Sequence, residues 1–227
     1  MGSIKVKTNT LTLIKREIKL SVRNFGLILS YSSFFLLSLL IFTFGVGPDT
    51  KQLNTVYIPI IWVIMLFAII LVSDNFLLSD FQDGSLKELQ FLGYSEESII
   101  LSKTVVMYLV LITPHFFLIP IFSIFYNIDF NDLFQLSLDI FIGMPSLILI
   151  SLIASLLTIQ IKRNKVLQFV IIMPFYVPII IFTTSNYDGI FYSSFELNKI
   201  LILIGFFLIT LPITLLLGKL ILNEINK

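Results

Sequence analysis

A membrane protein built only of α-helices is the fold that this sequence predicts, and two observations lead to it. Of the 227 residues, 57% are hydrophobic and 13% are charged, whereas about 25% charged residues is usual for a soluble domain. The apolar residues are also gathered into six long runs rather than spread along the chain. Because so little polar sequence could not cover such a core in water, we expect lipid to surround it.

The six runs have the length of membrane-spanning helices. About 20 apolar residues, each rising about 1.5 Å, cross the hydrocarbon core of a bilayer. Strands of a membrane barrel would be shorter and would alternate in polarity. We therefore predict one membrane domain over residues 1–227. The predicted spans cover residues 25–44, 56–78, 99–125, 133–159, 166–182 and 200–222.

Basic residues are distributed unevenly between the two sides of these spans. Of the 15 lysines and arginines, only Lys51 and Lys199 fall in the predicted outer connections. Positive charge is retained on the cytoplasmic side of a membrane. Both termini are therefore predicted to face the cytoplasm of a bacterium, at its inner membrane, or the matrix side of a mitochondrial inner membrane.

Residues 1–24, before the first span, contain an amphipathic pattern. Apolar side chains recur at helical spacing at Leu11, Ile14, Ile18 and Val22, with basic residues to one side. This pattern favours a helix lying in the membrane interface. The alternative is a basic flank that only orients the first span.

Several kinds of active site are excluded by residue content. There is no cysteine and one histidine, so thiolate sites, disulfides and multi-histidine metal centres cannot form within the chain. No nucleotide-binding G-x-x-x-x-G-K-[ST] sequence or hydrolase motif is present. We expect a protein without catalysis, metal or bound cofactor, and the net charge of +1 gives no reason to expect a nucleic-acid partner.

The connection between the second and third spans, residues 80–97, contains the signals of a short helix. Ser85 and Glu88 have the spacing of a capping box, which predicts a helix start. Gly93 is predicted to end the helix, and Ser95 to begin the next one. A helix this short is unstable alone, so it requires either a partner protein or the chain's own bundle to pack against.

The apolar residues of this short helix are predicted to form one side of it. They are Leu86, Leu89, Phe91 and Leu92.

Three ionisable residues lie within or near the ends of the apolar runs. Asp74 and Asp139 are candidates for an intramembrane function, or for a position at the interface. His115 is a candidate ligand, or a histidine hydrogen-bonded within the bundle. Hinge candidates, with static kinks as the alternative, are Pro114, Pro120, Gly143, Pro145, Pro174 and Pro178.

The segment Asp83-Gly84-Ser85-Leu86, followed by Leu89, resembles the coupling helix of type-2 ABC-transporter membrane subunits. More narrowly, residues 47–182 resemble the CcmB family. The matching features are Gly47-Pro48, Ile60-Ile61-Trp62-Val63, Asp74, Asp80, Gln82 to Leu86, Lys103, Pro114, Pro120, Gly143, Pro145, Leu147, Lys162-Arg163, Pro174 and Pro178.

This resemblance implies a membrane subunit of an ABC complex for cytochrome c biogenesis. It implies an ATPase partner, CcmA, and further partners CcmC, CcmD and the heme chaperone CcmE, with two copies of the chain in the complex. ATP would be bound by the ATPase and heme handled by the complex, leading to release of the loaded chaperone or to heme export. The residues implied in coupling to the ATPase are Asp80, Asp83, Gly84, Ser85, Leu86 and Leu89.

Two other functions remain compatible with the residues. One is a type-2 ABC permease for a different small molecule or lipid, which would share the fold and differ in its partner. The other is a self-sufficient secondary carrier, which would usually place ionisable groups near the bilayer midplane. That second alternative leaves the short helix of residues 80–97 without a role.

Overall fold

The computed structural model describes residues 9–47, 50–126, 128–159, 165–184 and 195–225. Residues 1–8 of the predicted interfacial segment lie outside these ranges. Within them every regular element is an α-helix. The helices are α1 (Thr10–Arg23), α2 (Phe25–Val46), α3 (Thr50–Gln82), α4 (Ser85–Phe91), α5 (Glu96–Tyr126), α6 (Phe130–Ile159), α7 (Lys165–Thr184) and α8 (Phe195–Ile225).

Six of the described helices are long and apolar enough to cross a bilayer, namely α2, α3, α5, α6, α7 and α8. The prediction of an all-α protein with six spans is confirmed. Some helices continue beyond the predicted spans: α3 has 33 residues and α5 has 31. These extensions bring polar residues at the span ends into regular helix, where they form the contacts described below.

Helix α6 is the centre of the bundle. It packs against α3, α5, α7 and α8, and 78% of its most hydrophobic 18-residue stretch is buried. The corresponding share is only 17% in α2 and 11% in α8, so these two helices present most of their surface to the surroundings. A helix that is apolar on all sides is stable either inside a bundle or against lipid, and the chain uses both solutions.

A chain of polar side chains links the core of three helices. The Ser73 hydroxyl on α3 is hydrogen-bonded to that of Ser151 on α6. Ser155 Oγ donates to Ser73 Oγ at 3.2 Å and accepts from Gln168 Nε2 on α7 at 2.7 Å. Small hydroxyl side chains allow close approach of helices in lipid and join them by hydrogen bonds.

The proline residues predicted as hinges lie inside helices that continue past them. Pro114 and Pro120 are in α5, Pro145 is in α6, and Pro174 and Pro178 are in α7. Neighbouring helices allow such interruptions of the backbone hydrogen bonds in membrane proteins. A hinge motion at these positions stays a prediction.

Gly143 has a packing role that its sequence position did not reveal. A Cβ atom added there would lie 2.8 Å from the Trp62 Cη2 atom on α3. Trp62 is fully buried, so its ring cannot move aside freely. The missing side chain of Gly143 therefore makes the space that lets α3 and α6 approach.

Replacing Gly143 by alanine is expected to destabilise the bundle by about 1–3 kcal/mol through overpacking. The Trp62→Phe change shortens the opposing ring, so the double variant should be more stable than Gly143→Ala alone. The measurement is thermal unfolding in detergent, monitored as the fraction of protein that remains in the monodisperse peak of size-exclusion chromatography after heating. Gly205→Ala is the control, since nothing lies within 4 Å of a Cβ atom there; equal losses in both alanine variants would contradict the packing argument.

Candidate functional site

The turn between α3 and α4 is built around Gly84. Its φ is 79°, a left-handed conformation that glycine adopts without the steric cost of a Cβ atom. The Asp83 carboxylate accepts a hydrogen bond from the Ser85 amide at 2.9 Å. The predicted capping box is wrong: Gly84 holds the cap position, with no side-chain cap, and Ser85 is already the first residue of α4. The chain reverses its direction sharply after α3, which requires the positive φ of Gly84. The N-cap of α4 is therefore Gly84 rather than Ser85.

The Asp83 carboxylate is stabilised in its charged form. Burial by itself raises its pKa, but hydrogen bonds from the Ser85 amide and hydroxyl and the positive charge of Arg16 outweigh this effect and lower the pKa. Since the folded-state pKa is depressed, the contribution of Asp83 to the turn is present above its unfolded pKa. It is lost as the pH falls through the folded value.

The end of α4 follows the prediction. Gly93 has a φ of 88°, and the Tyr94 amide donates to the Leu89 carbonyl at 3.2 Å, which is the arrangement of a glycine-terminated helix. Ser95 Oγ then accepts from the Ser98 amide at 3.2 Å and begins α5 at Glu96. The short helix and both glycine positions are therefore real features of this connection.

Helix α4 has two apolar faces rather than one. Leu86 and Leu89 are buried against the bundle, where Leu86 lines a small gap with residues of α5, α6 and α8. Phe91 is 92% exposed and Leu92 is 54% exposed, on another side. The expectation of a single apolar side is thus wrong. Leu86 and Leu89 face the core of the bundle, whereas Phe91 and Leu92 lie at other angles around the helix and face away from that core.

A buried lysine lies at the base of this connection. Lys103 of α5 is only 2% exposed. Its ammonium group donates to Asp80 Oδ2 at the end of α3 and to Glu17 Oε2 of α1 at 3.3 Å, and it lies 5.3 Å from the ring centre of Phe76. A charge removed from water requires such partners. One ammonium group therefore joins three helices next to α4.

Helix α1 is docked on α5 and on the residues just before it through further polar contacts. The Thr10 and Ser98 hydroxyls are 3.1 Å apart, and the Thr12 and Tyr94 hydroxyls are 3.0 Å apart. Leu13 is buried on the same side. The first helix is therefore part of the structure around residues 80–98, in addition to having the amphipathic pattern expected for an interface.

The single histidine lies in an aromatic cluster between α2 and α5. His115 Nδ1 is 2.8 Å from the Leu111 carbonyl oxygen, and Nε2 is 3.2 Å from the Tyr31 hydroxyl. The Phe35 ring centre is 4.7 Å from that of His115. The imidazole thus has hydrogen-bond partners inside the bundle. Within the described ranges, no three histidine, cysteine or acidic residues are grouped as a metal site would require.

The two intramembrane acids occupy different settings. Asp139 is fully buried; its carboxylate accepts from Lys199 of α8 and from Gln135 Nε2 at 3.4 Å. Asp74 and Gln168 both line a cavity of about 200 Å³ between α3 and α7. These acids are far apart in the bundle, at opposite ends of their spans, so the structure does not bring them into one site.

Three residues that matter for these contacts were not singled out by the sequence. Glu17 is an acidic residue within a basic segment, and Lys199 is a lysine opposite Asp139 at the start of an apolar run. Glu17 and Lys199 could have been found as isolated charges opposite in sign to their surroundings, because such a charge needs a partner when it is buried. The sequence contains no such indication for Tyr31.

Comparison with known proteins decides the family. The family model described as "CcmB protein" matches residues 8–219, which includes all of α1 to α7 and most of α8. The chain belongs to the CcmB family. The resemblance seen in residues 80–97 and the spans therefore extends to α1 and to α8, which carry Glu17 and Lys199.

Individual relatives support this membership. "Heme exporter protein B" of Haemophilus influenzae is 31% identical over 77% of this chain and 79% of its own length. Proteins of the same name from Pseudomonas aeruginosa and Escherichia coli K12 are each 27% identical, over 74% and 78% of this chain and 76% and 80% of their own lengths.

Removing the buried ammonium group is the sharpest test of the Lys103 contacts. Lys103→Met leaves Glu17 and Asp80 buried without their shared cation, and we expect a loss of about 3–5 kcal/mol. Adding Asp80→Asn and Glu17→Gln to Lys103→Met should recover part of that loss. Denaturation of the purified protein in a fixed detergent measures these differences.

Lys219→Met provides the matched control. Lys219 donates to Glu97 at 2.7 Å with about half of its side chain exposed. Solvent screens an exposed pair of this kind, so it contributes little to stability. If Lys103→Met were no more destabilising than Lys219→Met, the buried contacts would not hold the three helices together.

Proposed function

We propose that this chain is the membrane subunit of an ABC-type complex for cytochrome c biogenesis, in which a partner ATPase docks on the exposed edge of α4. The observation that supports this most directly is the exposed aromatic side chain of Phe91 on a short helix whose other face is anchored in the bundle. A large exposed apolar side chain next to charged residues is typical of a protein interaction site.

The position of Phe91 argues against a lipid contact. Helix α4 is outside the six candidate spans, and its exposed surface also includes Lys87 and Glu88. Charged side chains beside an exposed aromatic residue are typical of a protein–protein interface in the aqueous phase and are unfavourable in the hydrocarbon region of a bilayer. Aromatic residues of this kind often provide much of the binding energy when a partner covers them.

The buried face of α4 gives a route by which docking can move the spans. Leu86 and Leu89 connect the helix to the core, and Asp80 connects the end of α3 to α5 through Lys103. A partner that binds one arrangement of these helices more tightly than another shifts the population toward it. In this proposal, Asp80, Leu86 and Leu89 take part in coupling by positioning the contact surface.

The proposed complex divides the chemistry among its subunits. ATP would be bound and hydrolysed by the partner ATPase, CcmA, while CcmC, CcmD and the chaperone CcmE would handle heme as the substrate. This chain would contribute no catalytic group and would be present in two copies. We propose that α4 and both termini face the cytoplasm of a bacterial inner membrane, following the distribution of basic residues.

The outcome of the cycle, in this proposal, is release of the heme-loaded chaperone. Both nitrogens of the single histidine are within hydrogen-bond distance of groups in the bundle, which favours a role in moving partners over a role in ligating heme. The membrane helices would transmit the ATPase cycle to the outer side.

The test is complementation of a host strain lacking the gene. Heme-stained c-type cytochromes and the heme-loaded chaperone would be followed on one gel, and co-purification of the ATPase would be measured from the same membranes. The deletion should abolish the cytochromes while the chaperone stays loaded. Phe91→Ala should reproduce this pattern and reduce ATPase recovery by tenfold or more, about 1.4 kcal/mol or above.

Phe130→Ala is the matched control. Phe130 is also highly exposed, at 78%, but it begins α6 at the opposite end of the bundle from α4. It should restore cytochromes fully. Normal cytochromes in the deletion strain would overturn the function, whereas full activity of Phe91→Ala would overturn only the docking site.

A further inference from the structure

Helix α1 presents a narrow apolar strip on the side that faces away from the bundle. Leu11, Ile18 and Val22 fall within about 40° of one another on a helix that turns 100° per residue. They are 63%, 36% and 64% exposed, respectively. This strip is not covered by any described part of the chain.

A row of basic residues runs beside the strip. Lys15, Lys19 and Arg23 follow Leu11 at intervals of four residues, so each is displaced about 40° further around the helix. All three are exposed. Among the described residues, no carboxylate lies within ion-pair distance of them, whereas neighbouring Arg16 is paired with Glu17 at 2.6 Å.

The opposite side of α1 fixes how this surface is oriented. Leu13, Glu17 and Ser21 are buried, and Glu17 contacts Lys103 of α5. The helix therefore cannot rotate about its axis without breaking a buried ion pair. Its apolar strip and basic row are held in a constant relation to α5 and to the neighbouring connection of residues 83–95.

We propose that this surface binds the anionic phospholipids of the adjoining leaflet. The strip of Leu11, Ile18 and Val22 would enter the boundary of the acyl chains, and Lys15, Lys19 and Arg23 would contact the lipid phosphates. The combination of an apolar strip with a flanking basic row is what an interfacial helix needs to bind a negatively charged bilayer. Each basic residue near an anionic surface adds roughly fivefold to the affinity.

The consequence is a dependence of local structure on lipid charge. Since α1 is docked beside the connection of residues 83–95, anionic lipid would stabilise the edge of the bundle from the membrane side. A neutral bilayer would retain the apolar contact and lose the electrostatic one. This inference concerns lipid alone and does not depend on any ATPase partner.

The experiment uses the full chain and takes advantage of its lack of cysteine. Val22→Cys is labelled with an environment-sensitive fluorophore, and the protein is placed in nanodiscs of phosphatidylcholine with or without phosphatidylglycerol. The phosphatidylglycerol should shift the emission to the blue and increase quenching by lipid-attached quenchers. High salt should reverse the change, because it screens charges at the surface.

A second variant separates lipid binding from damage to the fold. In Lys15→Gln/Lys19→Gln/Arg23→Gln the response to phosphatidylglycerol should be lost, while Lys87→Gln on α4 should leave it unchanged. Docking of α1 is checked independently by a disulfide between Thr10→Cys and Ser98→Cys, whose native hydroxyls are 3.1 Å apart. This disulfide should form equally with and without the three changes.

Two results would overturn the proposal. One is an equal fluorophore response in neutral and anionic nanodiscs, which would mean that the apolar strip alone holds the helix. The other is a response to phosphatidylglycerol that survives in the triple variant, which would assign the lipid charge effect to another part of the chain.

Discussion

The ammonium group of Lys103 is the contact on which the arrangement around α4 depends. It is buried between Asp80 and Glu17, and each of these acids is on a different helix. Burying a charge is unfavourable unless its partners are placed well, so α1, α3 and α5 must meet at one point. Because α4 follows α3 by only two residues, the same point also determines where the exposed edge of α4 lies.

The same constraint operates at the other end of the bundle. Asp139 and Lys199 form a buried pair between α6 and α8, while the core between the two ends uses uncharged hydroxyl contacts such as Ser73 with Ser151. Charged pairs thus fix the ends of the helices, and small polar groups and glycine allow their close packing in the middle. This distribution gives a bundle with firmly joined ends and several proline-containing spans between them.

The sequence predicted the number and order of the spans because hydrophobic length depends only on local composition. It also predicted the glycine that ends α4, since a left-handed residue has a strong local signal. It could not predict that Leu86 faces the bundle and Phe91 faces away, because seven residues give too short a pattern to fix a face. Nor could it pair Glu17 with Lys103, which lie 86 residues apart and meet only through the tertiary fold.

Hydrogen exchange of the chain in nanodiscs, with and without the proposed partner ATPase, tests most directly whether the exposed edge of α4 is the docking site. A short helix exchanges quickly unless tertiary contacts or a partner stabilise it. The account predicts that ATPase binding slows exchange in residues 85–95 and leaves residues 130–140, at the opposite end, unchanged. Unchanged exchange in residues 85–95 when the ATPase is bound would contradict it.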